Sequence, residues 1–426
     1  MWKEAFKNKE TRNRILFVLF CIVILRIGAY LPVPFVDTTS VKSYFQNNDS
    51  FSLLNLFNGG SLENFSILSL SITPYITASI IMQLLCIAFP KLDELQKDGE
   101  DGKNTFNKIM KIATIGLSII SAIGLLITYT RNGLITLNVW SSIVVVVSFT
   151  AGTMFLMWLG DEITERGIGN GISMILMINI LSRIPKDLYS LYQMFMQNKD
   201  IVHMVLAAII IVLIISITIL LVIILDGAVR SVPVNNSKKI SNSRMANNFT
   251  NLPIKVNIAG VVPVIFASTI LSMPIMIASF FGGNGDWSGY FSQNSWFNSM
   301  NWKYTIGYAV YAALIIFFAY FYTSVTFNTN EVSINLKKSG QTIPGIRPGE
   351  HTREYLDSIV KPLIFIGAVW MLLIVTIPIV INGSFNASVS FGGTSIVIVV
   401  GVIIETVIQL KGKVTSFNTL SIMNKF

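Results

Sequence analysis

HMVLAAIIIVLIISITILLVIIL, residues 203–225, contains no Asp, Glu, Lys or Arg and no proline, and Asp226 closes it. At 1.5 Å of rise per residue, such a run spans the ~30 Å hydrocarbon core of a bilayer as one α-helix. Working outward in both directions, comparable apolar runs recur at 15–31, 72–89, 109–129, 139–159, 171–183, 258–281, 304–326, 359–381 and 391–410. Together they predict ten transmembrane helices, the fifth unusually short, in an all-α polytopic membrane protein. Composition agrees. Of 426 residues, 52% are hydrophobic and only 12% charged, against about 25% charged in soluble domains. Mean hydropathy is +0.64.

The excess of basic residues, 31 against 22 acidic, tests the topology by its placement. With the N-terminus inside, the cytoplasmic segments carry 24 of the Lys and Arg residues and the external segments 6, with Arg26 inside the first span. That bias is the positive-inside signature and predicts cytoplasmic termini in an inner, cytoplasmic membrane. The basic N-terminus before Ile15 resembles a signal peptide, but no small-residue cleavage site follows, so it reads as a retained first span. Ten spans divide into two sets of five: an N-terminal half at 1–183 and a C-terminal half at 203–426, joined by an external hinge loop at 184–202. Because five is odd, the second half sits inverted on the first, an arrangement common among transport proteins. Cys21 and Cys86 lie inside apolar runs, where no disulfide framework is expected.

Between the first two spans, FSLLNLFNGGSLENFSILSL at 51–70 is amphipathic and too interrupted to span. With the second span it reads as a broken, re-entrant helix, since irregular backbone at membrane depth survives only where protein or a water-filled cavity surrounds it. The alternative by composition is an interfacial helix lying on the outer surface. No cluster has metal-ligand spacing, and the two histidines, His203 and His351, stand at span or loop edges. Gly167, Gly169 and Gly171 follow a span rather than a strand, which suits a tight chain reversal better than a nucleotide loop. An ion-coupled transporter usually needs a carboxylate deep in the membrane. Asp161, Glu162, Asp226 and Glu405 all fall at predicted cytoplasmic span ends. Arg26, the one charge well inside a span, can snorkel or pair locally. Ile72, Ile76 and Ile80 share one helix face, as do Ile172 and Leu176. Spacing alone reads these as lipid-facing or packing residues.

The longer motifs narrow this. They are Arg26 with LPVP at 31–34, LFNGGSLENFSI at 56–67, PYITASIIMQLL at 74–85, ITERGIGNGIS at 163–173, LPIKVNIAGVVPVIFAS at 252–268, SGQTIPGIRPGEHTREYLD at 339–357 and FGGTSIVIVVG at 391–401. In these, from about Arg14 to about Leu410, the sequence resembles the SecY/Sec61-alpha family of protein-conducting channels.

The resemblance implies an hourglass of ten helices that passes unfolded polypeptides across the membrane and releases membrane segments sideways into lipid, without cofactors. It implies a plug around 53–66, here Leu54, Asn55, Leu56, Phe57, Asn58, Gly59, Gly60, Ser61 and Leu62. It implies an aliphatic pore ring of Ile72, Ile76, Ile172, Leu176, Ile265 and Ile398. The second and seventh helices become a lateral gate bearing Thr77, Ser79, Ile80, Gln83, Ser268, Thr269 and Met273. Those hydroxyls and the amide read either as water-retaining groups at the gate or as interhelical hydrogen bonds. Arg230, Lys238, Lys239, Lys337, Lys338, Arg347 and Arg353 become contacts for a motor or a ribosome, although positive-inside topology alone also makes such loops basic. The implied partners are the small membrane subunits SecE and SecG, the SecA motor ATPase, the ribosome, signal sequences and nascent chains. Four positions depart from the family pattern. Ser71 replaces a glycine, Arg230-Ser231 replaces paired arginines, Asn236-Ser237-Lys238-Lys239 replaces Tyr-Ala-Lys-Arg, and Lys103-Asn104-Thr105 thins a basic run. These leave room for an accessory channel with a restricted substrate set. An ion-coupled secondary transporter is the competing class.

Overall fold

The computed structural model describes residues 8–36, 41, 58–133, 135, 138–196, 200–236, 249–281, 288–297, 302–385 and 393–423. Ten long helices follow the expected order: α1 Lys9–Tyr30, α2 Thr73–Ala88, α3 Gly99–Arg131, α4 Val139–Arg166, α5 Gly171–Phe195, α6 Ile201–Gly227, α7 Val262–Phe281, α8 Ile306–Thr326, α9 Glu350–Phe385 and α10 Gly393–Met423. Among the described residues, seven helical segments are long and apolar enough to cross a membrane, and α2 joins them together with the short helix Pro90–Lys97, from which it is bent by 115° at Phe89. Pro90 forces this break, because its ring removes an N–H and clashes with the preceding turn. Of the other three, α2 is short and α5 carries charges, while α7 is an uncharged, apolar helix of 20 residues with Pro274 inside it.

Helix α5 is longer than expected. It starts with Asn170, whose side-chain oxygen accepts from the N–H groups of Ile172 and Ser173, an N-cap. It then runs through Pro185 to Phe195. The stretch predicted as an external hinge loop therefore shrinks to the few residues between Phe195 and Ile201. The charges that resemble a loop, Arg183, Lys186 and Asp187, are part of the helix.

Helices α1–α5 pack on one another, α3 against both α2 and α4 and α5 against α4. Helices α6–α10 do the same, α7 against α8 and α6 against α9 and α10. Between these sets the main packings are α5 on α10 and α7 on α2 and α3. Long faces of α6 and α1, among them Leu206, Ile210, Leu213, Leu220, Leu16 and Phe20, remain exposed. Such faces suit lipid rather than water.

One non-helical element breaks the pattern. Strands β1 (Val229–Asn236) and β2 (Phe249–Lys255) form an antiparallel hairpin between α6 and α7, with Val232 opposite Leu252. Strand β3 (Gln341–Thr342) adds to the other edge of β1, giving the order β2-β1-β3. Val232, Val234 and Ile254 turn inward onto Leu336, Ile343, Leu356 and Val360, so the sheet sits on the base of α9.

A candidate aliphatic constriction and the segment held beside it

Ile72 stands at the N-cap of α2, and Ile76 lies one turn along. Leu176 on α5, Ile265 on α7 and Ile398 on α10 join them in one buried hydrophobic cluster, and Ile172 packs against it. Four helices from both ends of the chain thus bring the six aliphatic residues into one core. A close approach of α4 and α5 makes this possible. A Cβ on Gly171 would collide with the carbonyl oxygen of Gly160, and one on Gly160 would lie 3.1 Å from Ile172 Cγ1. The glycines of the GIGNG stretch are therefore an inter-helix contact as well as a chain reversal.

Just beyond Leu176, polar chemistry begins. Arg26 of α1 donates from Nη2 to Asn179 Oδ1 on α5 at 2.5 Å. Asn179 Nδ2 donates in turn to Ser71 Oγ at 2.9 Å. Arg26 therefore pairs across helices, while its buried Nε has no hydrogen-bond partner among the described residues. Ser71, at φ 51°, occupies a left-handed conformation that costs an ordinary side chain energy.

From Asn58 to Ile72 the chain is a succession of turns. Leu54, Asn55, Leu56 and Phe57 fall outside the described residues. Two kinds of contact hold the rest. On the apolar side, Phe65 is buried with its ring centroid 5.0 Å from Tyr129 of α3 and 5.1 Å from Phe149 of α4, with Leu62 and Leu70 in the same cluster. A backbone bridge adds to it: Val33 N–H donates to Phe65 O and Ile67 N–H to Leu31 O, both at 3.0 Å, so the LPVP motif pairs with this segment. On the polar side, Asn58 accepts from Thr73 Oγ1 at 3.1 Å and donates to Ser69 O at 2.7 Å. Ser182 Oγ on α5 reaches Gly59 O at 3.4 Å. Glu63 lies 3.5 Å from Arg183 and 2.5 Å from Lys186, both on α5. Gly59 has φ +62°, and a Cβ there would lie 3.0 Å from Asn179 Cα, so this position demands glycine twice over.

The residues expected at a lateral gate separate. A cavity of about 170 Å³ is lined by Asn58, Leu62, Thr77, Leu117, Met273 and Ile277, among others. It joins α2, α3 and α7 to the 58–72 segment, and Thr77 and Met273 face it. Ser79 and Gln83 bond each other along α2 at 3.3 Å, and Ile80 is buried in the main core. Ser268 Oγ lies 3.2 Å from Tyr311 OH on α8, and Thr269 Oγ1 donates back to Ile265 O. Both of these hydroxyls are engaged within the α6–α10 set.

Residues 66–407 match the SecY family model. This chain belongs to the SecY family. The protein translocase subunit SecY of Staphylococcus carnosus is 40% identical over 96% of both chains. The Escherichia coli K12 subunit is 37% identical over 98% of this chain and 94% of its own. The fold is that of the solved protein-conducting channels. A structure described as a protein conducting channel matches with a TM-score of 0.64 at 15% identity, covering 94% of this chain and 91% of its own. Yeast Ssh1 bound to the 80S ribosome matches at 0.63 and 17% identity, covering 97% and 89%. As a SecY-family member, the chain is a multi-pass membrane protein and a translocase channel subunit, not an enzyme.

The basic candidates of this SecY-family chain gather around the sheet. Arg230 is exposed on β1, and Lys337 and Lys338 are exposed at the end of a short helix, Thr329–Lys338. Arg347 is exposed in the turn between β3 and α9, and Arg353 lies 3.9 Å from Asp357 on α9. Lys238 and Lys239 fall outside the described residues. Ser333 Oγ donates to Gly349 O at 2.6 Å and Thr352 Oγ1 to Arg347 O at 3.0 Å, so the backbone carrying Arg347 is braced on both sides. Sequence reading missed the strands that present Arg230. The period-two placement of Val232 and Val234 was the signal. At the other end of the hairpin, Asn257 donates to Asp226 Oδ1 at 2.8 Å, tying the end of α6 to the approach of α7.

Proposed function

We propose that the chain conducts unfolded secretory polypeptides across the cytoplasmic membrane through an aliphatic ring of Ile72, Ile76, Ile172, Leu176, Ile265 and Ile398, and releases membrane segments between α2 and α7. The observation that carries this reading is the convergence of these six uncharged side chains, from helices of both sets, in one core. A narrow aliphatic constriction dewets, so ions cross poorly while it is closed. It offers a passing chain neither charge nor hydrogen bonds, so it yields to any sequence.

The pairing of helices supports two halves, α1–α5 and α6–α10, that part at the α2–α7 seam. The second helix of each set, α2 and α7, packs on the other across the two sets, where the repeat interface of inverted-repeat transport proteins carries the substrate path. Segment 54–62 is the plug. Thr77, Ser79, Ile80, Gln83, Ser268, Thr269 and Met273 belong to the gate, where Thr77 and Met273 meet the passing segment. The sheet end is cytoplasmic, with both termini. There Arg230, Lys238, Lys239, Lys337, Lys338, Arg347 and Arg353 receive a SecA-type motor or a ribosome, and SecE- and SecG-type subunits cover the exposed apolar faces. The ribosome-bound relative supports such a partner. The test is crosslinking from a photoreactive residue at position 76 to a precursor stalled in transit. A strong adduct is expected, and adducts only from lipid-facing positions such as 210 would refute the path.

A further inference from the structure

Ile172, Leu176, Asn179, Arg183 and Lys186 follow one another at steps of four, three, four and three residues, a single face of α5. Ser182 lies beside Arg183 on that face. The inner part of the stripe is aliphatic and joins the constriction, and the outer part is polar. Every polar member of the outer part touches segment 58–71. Asn179 bonds Ser71, Ser182 bonds the backbone of Gly59, and Arg183 and Lys186 both pair with Glu63. Glu63 and Arg183 are shielded, with side-chain exposures of 18% and 10%. A shielded pair is screened little by salt, so its geometry matters.

We propose that this outer stripe of α5 is a docking rail for the plug, and that Glu63 is the residue that positions the plug on it. The inference rests on the reading of 54–62 as a plug and adds what holds it shut. The other side of the segment explains why Glu63 is the decisive residue. Phe65 is clamped between Tyr129 and Phe149, and the bridge from Val33 and Ile67 pins the backbone around it. This part stays fixed when the plug leaves. Residues 58–64 have Leu62 as a buried apolar anchor, are bonded to the clamped part through Asn58 and the Ser61 carbonyl, and reach α5 through Gly59 and Glu63. Glu63 stands two residues before the clamp and is the one carboxylate of the described residues 58–72 paired with α5. Once Glu63 leaves, Arg183 and Lys186 lose their shared carboxylate at the rim of the passage, which favours its return.

The test uses the full chain in its native membrane complex, reconstituted in planar bilayers. Three variants are compared: Glu63→Gln, Lys186→Gln, and the charge exchange Glu63→Lys with Arg183→Glu and Lys186→Glu. Glu63→Gln should raise the resting ion conductance roughly tenfold, the shift expected when a few-kcal/mol closed-state preference loses one such contact. Lys186→Gln, a half-exposed change that leaves the fold intact, should raise it less. The charge exchange should bring conductance back to within about threefold of the parent, a recovery that lost packing would not give. Deletion of 54–62 serves as the control. A deletion that leaks while Glu63→Gln stays silent overturns the rail and leaves the plug reading standing. A deletion that does not leak overturns both.

Discussion

Asn179 and Ser71 are 108 residues apart in sequence, yet the amide of one donates to the hydroxyl of the other at 2.9 Å. The bond lies one residue before Ile72 and three after Leu176, so it ties the approach to α2 onto α5 beside the proposed constriction. It also explains how a serine is tolerated at φ 51°, where glycine would be relaxed. The hydroxyl gains a partner that glycine lacks, and Asn179 in turn orients Arg26.

Two substitutions at Ser71 separate strain from bonding. Ser71→Gly removes a left-handed backbone penalty of ~1–2 kcal/mol and a hydrogen bond of ~0.5–1.5 kcal/mol. Stability should stay within about 1 kcal/mol of the parent. Ser71→Ala keeps the strain and loses the bond, so it should be the less stable variant by ~1 kcal/mol or more. Thermal unfolding of the purified chain ranks them, and an alanine variant as stable as the parent would show that the bond contributes nothing.

Removing the Asn179 end should cost more. Asn179→Leu matches the volume but takes from Arg26 the oxygen that its Nη2 donates to. A buried hydrogen bond to a charged group is worth ~1.5–3 kcal/mol, and an unpaired guanidinium in the membrane interior adds to the loss. Reduced yield of folded chain is expected, with partial recovery in an Arg26→Leu, Asn179→Leu double variant. Absence of any recovery would mean that the two residues act separately.

The constriction makes a sharper prediction. Ile76→Asn with Ile265→Asn places two amides in the buried cluster that holds the proposed ring, and amides hold water. Resting conductance should rise and precursors with weakened signal sequences should pass more readily, measured in bilayers and by export assays. Unchanged conductance would remove these residues from the seal.

The ten spans were legible because apolar length and the placement of Lys and Arg both survive without knowledge of tertiary contacts. The extent of α5 was not. Arg183-Ile184-Pro185-Lys186-Asp187 carries the chemistry of a loop, and the partner of its two cations, Glu63, lies more than a hundred residues earlier. Extending the Ile172–Leu176 stripe at helical spacing would have reached Asn179, Arg183 and Lys186. The β1–β2 hairpin was missed for a related reason. Two strands of eight and seven residues are marginal alone, and theirs gain stability from Leu336 and Ile343 of the α8–α9 connection and Leu356 of α9. Gate chemistry was half legible. The sequence supplies the hydroxyl of Ser268 but not its direction, and it is directed at Tyr311.

Arg347 offers the test of the sheet end. Its side chain is exposed while its backbone is braced through Thr352, and the bracing of Gly349 by Ser333 completes the turn. A change of side chain there should leave the fold intact. Arg347→Glu reverses the charge presented to an acidic partner, and apposed like charges cost several kcal/mol across an interface. Motor-driven export should fall by at least tenfold, with membrane insertion and thermal stability of the chain unchanged. Arg347→Lys separates charge from geometry: it should retain much of the export if a positive point charge suffices, and little if the partner takes a bidentate guanidinium. Normal export by the glutamate variant, at normal protein level, would place the docking contact elsewhere on the sheet.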